Sequence, residues 1–89
     1  MNAKRVVIGG RVQGVGYRAW MVREAVLLGV WGWVRNRPDG TVEALVHGEG
    51  DAVEELLRRC RLGPMLASVR TIDESEAEAP EEEGFRQIG

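Results

Sequence analysis

Val30-Trp31-Gly32-Trp33-Val34-Arg35-Asn36, then Arg37-Pro38-Asp39-Gly40, then Thr41-Val42-Glu43-Ala44-Leu45-Val46-His47-Gly48 reads as a strand, a tight turn and a second strand. Val30, Gly32 and Val34 alternate with Trp31 and Trp33, so the tryptophans should point away from the apolar series. A Pro-Asp-Gly turn closes the hairpin. Helical patterns lie on either side of it. Upstream, Tyr17, Met21, Ala25 and Leu28 fall on one stripe with Val22 beside them, and Gly29 is a natural C-terminal stop. Downstream, Val53, Leu56, Leu57 and Cys60 mark the inner face of a second helix from about Asp51 to Leu62, with Asp51 and Glu54 at capping-box spacing. Further out, Lys4 to Val12 is a strand with Val6 and Ile8 facing inward. Ala67 to Glu74 is another, whose imperfect alternation implies a bulge. Gly84 to Ile88 makes a short last strand.

The resulting order is βαββαβ plus a terminal strand, an α+β pattern. Two helices are too few to cover both faces of a parallel sheet. An antiparallel sheet with both helices on one face, the ferredoxin-like sandwich, satisfies the pattern. In that split topology strands one and three are neighbours, with two and four outside them. The end of the first strand then lies near the start of the third, and the turn between strands two and three carries Asn36 toward the loop after strand one.

With 89 residues, the expectation is one domain spanning 1–89. Hydrophobic residues make up 44% and charged residues 29%, which fits a soluble globular chain rather than a disordered one. No apolar run approaches the roughly 18–20 residues of a membrane span. Met1-Asn2-Ala3-Lys4-Arg5 leads straight into a strand rather than into a signal peptide. Cys60 is the single cysteine and cannot form an internal disulfide, which suits a reducing cytoplasm. A formal charge of −2 argues against general nucleic-acid binding. The charge is uneven: Arg11, Arg18, Arg23, Arg35 and Arg37 lie in the first half, while Glu74 to Glu83 holds six glutamates. A basic mouth with an acidic flank elsewhere would attract anions, although the glutamates also read simply as a solvated loop.

Gly10-Arg11-Val12-Gln13-Gly14-Val15-Gly16-Tyr17-Arg18 stands between the first strand and the first helix. Gly14 and Gly16 permit unusual backbone angles and close approach of a ligand to the main chain. Successive N–H groups in such a turn can converge, and the helix behind adds the positive end of its dipole. Arg18 brings a planar fork to the lip. The combination suits a tetrahedral oxyanion, so the loop reads as a phosphate site. Gly14-Val15-Gly16-Tyr17-Arg18-Ala19 also fits G-x-G-x-x-A, but the chain is too short for a six-stranded doubly wound sheet. The acidic residue expected some 20 positions on is missing as well. No Gly-Lys-Ser/Thr follows the glycines, which excludes a Walker A loop. A turn that merely joins strand to helix is the plain alternative.

At these residues the chain resembles the acylphosphatases. That family carries a Gly-Arg-Val-Gln-Gly-Val-x-Phe/Tyr-Arg loop, a Leu-Gly-x-x-Gly-Trp-Val-x-Asn strand and an x-Asp-Gly-x-Val-Glu hairpin. They stand here as Gly10–Arg18, Leu28–Asn36 and Pro38–Glu43. Gly63-Pro64 with Ala67 and Val69, and the closing Gly84-Phe85, are similar too. The resemblance implies hydrolysis of the carboxyl–phosphate bond of acyl phosphates, with Arg18 and Asn36 as the catalytic pair. By position, Arg18 clamps the phosphoryl oxygens, and the N–H groups of Gln13, Gly14, Val15, Gly16, Tyr17 and Arg18 complete the cradle. Asn36 holds the attacking water, and Thr41 matches a family position near the site. The resemblance implies no metal and no cofactor. Its partners would be a small acyl phosphate, with inorganic phosphate or sulfate as competing anion, but no nucleic acid and no membrane, and the protein would be a cytoplasmic monomer. Tyr17 replaces the Phe of many members, and Gly16 stands where some have Cys. A related domain opens the large hydrogenase-maturation carbamoyltransferases. This chain ends at Gly89 without their zinc-finger or transferase segments, so the free-standing enzyme is expected.

The residues agree with that chemistry through what they lack. No His, Cys, Asp, Glu or Ser lies within the glycine loop, which leaves no candidate for a covalent phosphoryl-enzyme there. Asp39 belongs to a turn, and His47 and Cys60 have no partners at metal-ligand spacing. One arginine, one carboxamide and backbone donors can bind and orient but supply little acid or base. An acyl phosphate asks for little, because its carboxylate departs without protonation. The alternatives are a non-catalytic anion-binding module or an RNA-binding module of ferredoxin-like fold. RNA-recognition domains stack bases on aromatics of strands one and three, where this chain has Val6, Val7 and Ile8, and Glu43, Leu45 and His47.

Overall fold

The computed structural model describes residues 2–89; Met1, the first residue of the expected domain, lies outside them. The chain runs β1 (Asn2–Arg11), α1 (Tyr17–Leu28), β2 (Trp31–Asn36), β3 (Val42–Gly48), α2 (Gly50–Cys60), β4 (Ser68–Glu76) and β5 (Phe85–Gln87). The strands form one sheet in the order β4-β1-β3-β2-β5. β1 and β3 are central, as the split topology requires. The pairings β1–β3, β1–β4 and β2–β3 are antiparallel. β5 adds to the far edge parallel to β2, so the complete sheet is mixed. Segment 77–84 carries the chain from the β4 edge to the β5 edge.

Alternation decides the faces. Val6 and Ile8 of β1, Val34 of β2, and Val42, Ala44 and Val46 of β3 are fully buried against the helices. The helices meet them with Tyr17, Met21 and Ala25 from α1, and Val53, Leu56, Leu57 and Cys60 from α2. Leu28 packs on this core while remaining partly exposed. Gly29 ends α1 in a Schellman motif: its N–H donates to the Val26 carbonyl at 3.2 Å, and the Val30 N–H donates to that of Ala25 at 2.9 Å.

The capping box expected at Asp51 does not form. α2 starts one residue earlier, at Gly50, with Glu49 as its N-cap and no side-chain cap bond. Its first hydrogen bond runs from the Val53 N–H to the Glu49 carbonyl, 2.9 Å. Asp51 therefore lies within the first turn, where its charge complements the helix dipole. The bulge expected in the fourth strand is present. Gly9 pairs with Thr71 and Gly10 with Val69, leaving Arg70 as the extra residue.

The other face of the sheet carries Trp31 and Trp33, as the alternation predicts. Trp31 lies opposite His47 and Trp33 opposite Leu45. Glu43 on this face is only 3% exposed and is tied to two neighbouring strands. It accepts from Arg5 on β1 and from Arg35 Nε on β2 at 2.6 Å. Burial pushes the Glu43 carboxyl up, but the two guanidinium groups outweigh it and hold the group below its ordinary range. Gly32 has a steric reason to be glycine. Its φ is 141°, and a Cβ would run into the backbone carbonyl of Leu45 and meet the Phe85 ring at 3.3 Å.

Candidate active site

The loop from β1 to α1 closes on itself through two left-handed glycines, Gly14 at φ 74° and Gly16 at φ 80°. A Cβ at either would touch nothing within 4 Å, so glycine is required here by conformation and not by space. Gly16 is the N-cap of α1; no side chain caps the helix and its first turn has no acidic residue. The first intrahelical bond runs from the Trp20 N–H to the Gly16 carbonyl, 3.0 Å. The N–H groups of Tyr17, Arg18 and Ala19 come before it, at the positive end of the dipole.

Gln13 joins this loop to the β2–β3 hairpin. Its Nε2 donates to the carbonyls of Arg37 at 2.8 Å and Thr41 at 2.9 Å. The hairpin is itself closed by the Arg37 N–H on the Thr41 carbonyl, 2.9 Å. Asp39 accepts from the Thr41 hydroxyl at 2.6 Å and from the Thr41 N–H at 3.0 Å, and these bonds lower its carboxyl pKa. Asp39 and Thr41 thus shape the turn. Asn36, just before the turn, is held beside the glycine loop.

Arg18 and Asn36 line one cavity of about 140 Å³ with Val12, Gly14, Gly16, Tyr17, Ala19 and Gln87. Eighteen positions of sequence separate them, and the fold brings them together. Gln13 and Val15 are in the loop but not in the cavity wall: Gln13 spends its side-chain donors on the latch, and Val15 packs against the core. Tyr17 is buried, its hydroxyl donating to the Cys60 carbonyl at 2.6 Å, and burial raises its pKa. Only its backbone end faces the site's chemistry.

Two features single out the pair. Arg11, Arg18, Arg23 and Arg70 form no ion pair among the described residues, and of these four only Arg18 lines the cavity. The Oδ1 of Asn36 is buried with no hydrogen-bond partner among the described residues. Such an acceptor costs about 1–3 kcal/mol and marks a place where a donor is wanted. A larger hollow of about 360 Å³ lies between Trp33, Arg86 and the segment carrying Glu81 and Glu82. Its carboxylates disfavour an anion, and of the motif residues only Gly32 and Trp33 line it, neither of which is an anion donor by side chain.

Sequence reasoning missed Gln87. It stands in the short last strand, and only the placement of β5 beside β2 turns it toward Arg18. The other titratable candidates stay outside the cavity. The Cys60 thiol is pushed up to about 12 by burial, and no group of three His, Cys, Asp or Glu side chains suited to a metal exists among the described residues. No described helix is long and apolar enough to cross a membrane.

The comparisons with known proteins agree on one family. The family model described as Acylphosphatase matches residues 4–87. An acylphosphatase of Acidiphilium cryptum is 61% identical over 85 residues, covering 96% of this chain and 93% of that protein. The crystal structure of acylphosphatase from Bacillus subtilis matches with a TM-score of 0.94 at 33% identity, covering 100% of both chains. An acylphosphatase structure from Coxiella burnetii gives a TM-score of 0.92 at 31% identity, over 98% of this chain and 92% of that one.

Proposed function

Since the chain belongs to the acylphosphatase family, which hydrolyses acyl phosphates, we propose that Arg18 and Asn36 are its catalytic residues and that the Gln13–Arg18 loop is its phosphoryl cradle. One observation carries the reading: an unpaired guanidinium, an uncapped helix N-terminus and an orphaned carboxamide oxygen share one small cavity. The guanidinium fork and the N–H groups of the loop bind the phosphoryl oxygens and stabilise the charge they carry in the transition state. The Asn36 side-chain amide holds a water and aims the water's oxygen at phosphorus. As the water oxygen bonds to phosphorus, the phosphorus–oxygen bond to the acyl group breaks, and its electron pair leaves with the carboxylate. The water's proton passes to a phosphoryl oxygen, giving inorganic phosphate. Positioning and electrostatics carry most of the work in phosphoryl transfer, and this wall provides those.

On the same reading the chain is one domain that acts as a monomer, with phosphate or sulfate as competing anion. Support for a single domain comes from its single core. A cytoplasmic location is supported by the lone, buried Cys60. No nucleic-acid partner is expected, because the open faces of β1 and β3 offer no aromatic platform.

Phosphate release from acetyl phosphate tests the assignment. Arg18→Ala should lose at least about 10²–10³ in rate while remaining folded, and Arg18→Lys should recover little, since an ammonium cannot replace the planar fork. Asn36→Ala should lower kcat severely and leave competitive inhibition by phosphate unchanged, the signature of a transition-state interaction. Wild-type turnover in Arg18→Ala would remove Arg18 from the mechanism. Equal losses of turnover and phosphate binding in Asn36→Ala would move Asn36 into the cradle.

A further inference from the structure

The cavity wall holds one polar side chain that none of these roles uses. β5 lies parallel to β2, with Phe85 beside Gly32, Arg86 beside Trp33 and Gln87 beside Val34. Phe85 points into the core. Gln87, two residues on, therefore shares its face and reaches the cavity next to Arg18, Ala19 and Asn36. The Ile88 N–H donates to the Val34 carbonyl at 3.0 Å, which fixes the backbone at this point. The Gln87 side chain is exposed and makes no hydrogen bond among the described residues.

The remaining lining side chains offer the acyl group nothing polar. Val12 and Ala19 are apolar, and the Tyr17 hydroxyl is committed to the Cys60 carbonyl. Arg18 is engaged with the phosphoryl group and Asn36 with water. We propose that Gln87 is a specificity-determining residue whose carboxamide contacts the acyl group. It favours acyl phosphates that carry a hydrogen-bonding nitrogen or oxygen on the carbonyl carbon over those with hydrocarbon there. The inference rests on the acyl phosphate reading above. A carboxamide has two N–H donors and a carbonyl acceptor. A carbamoyl group answers both, through its own carbonyl and its NH₂. The isosteric acetyl group answers only the donor and leaves its methyl against the Gln87 oxygen. Water competes at an exposed side chain, so the preference is on the order of tenfold rather than the far larger ratios of sealed polar pockets.

The test compares kcat/KM for carbamoyl phosphate and acetyl phosphate in the wild type and in Gln87→Leu. Phosphate inhibition is measured alongside as a control on the cradle, and thermal unfolding as a control on the fold. The carbamoyl-to-acetyl ratio should fall about tenfold in Gln87→Leu with phosphate inhibition unchanged. Gln87→Glu should raise KM for both substrates, because it sets a carboxylate beside an anion. An unchanged ratio in Gln87→Leu, with both substrates still turned over, overturns the role of Gln87 alone. Weakened phosphate inhibition in that variant overturns it too, by placing Gln87 in the cradle. A wild-type protein that hydrolyses neither substrate overturns the hydrolase reading and this inference with it.

Discussion

Arg18 and Cys60 show how the partners of a side chain decide whether it can act. Most arginines of this chain spend their charge on a neighbouring carboxylate, whereas Arg18 forms no ion pair among the described residues, as the proposed role in binding a phosphoryl group requires. Cys60 is the reverse case, a nucleophile by type that its surroundings silence. It lies in the core between α2 and Tyr17, and burial pushes its thiol up to about 12. The reactive thiolate is thus almost absent near neutrality. The folded protein should resist thiol-directed reagents at pH 7–8 and react with one equivalent once unfolded in denaturant, which a colorimetric thiol assay reads directly. Rapid labelling of the native protein would mean that α2 opens locally. The inertness of Cys60 was legible from its place on an apolar helical stripe. The role of Gln87 was not, because the residue faces the site only through a pairing with β2, fifty-three positions upstream, that no local pattern encodes.

Elements are joined by two ties, one between the glycine loop and the β2–β3 hairpin and one across the open face of the sheet. The first is the Gln13 latch, which spans 24 and 28 positions to reach the Arg37 and Thr41 carbonyls. Periodicity placed both segments, but it could not show that a side chain joins them, and Gln13 was expected to serve through its N–H alone. Gln13→Leu removes two hydrogen bonds, although the Arg37 and Thr41 carbonyls keep the backbone N–H groups of Gly40 and Arg37 as donors. It should destabilise the fold by about 1–3 kcal/mol and lower kcat more than it raises KM, because Asn36 loses its fixed position beside the loop. An unchanged kcat would show that the hairpin holds its register without the latch. The second tie is Glu43, clamped between Arg5 and Arg35 across three strands. Its folded pKa lies below the ordinary carboxylate value, so it adds stability above that value and loses it as pH falls through the folded pKa. Glu43→Gln should cost about 1–2 kcal/mol at pH 7, discounted for half-exposed arginines. That difference should shrink toward zero as pH falls through the folded pKa of Glu43, as followed by denaturant unfolding; a constant gap would assign the cost to packing.

At the scale of the whole molecule, a chain of net charge −2 is compatible with the proposed anion site because fold topology separates its charges. The glutamates of segment 74–83 run from β4, beside Lys4 and Val6 of β1, to the start of β5, beside Gly32 of β2, while the glycine loop follows the other end of β1 beside the β2–β3 hairpin. The order of elements and the loop motif were legible in the sequence, since hydrophobic period and glycine spacing are local signals. The parallel seat of β5 and the start of α2 were not, since both depend on tertiary packing. The cradle exists only when α1, β2 and the loop are assembled, so an anion that fits it binds the native state and not the unfolded chain. Phosphate or sulfate at a hundred times its dissociation constant should therefore add about 2.7 kcal/mol of stability. For a chain of this size that corresponds to a rise in Tm of about 10 °C or more. Scanning calorimetry across a phosphate series checks it, with chloride at matched ionic strength to separate site binding from screening. Arg18→Ala should abolish most of the rise, and EDTA should leave both the rise and the turnover untouched. Equal stabilisation by chloride, or a full phosphate effect in Arg18→Ala, would place the anion elsewhere on the surface and leave the loop without its assigned ligand.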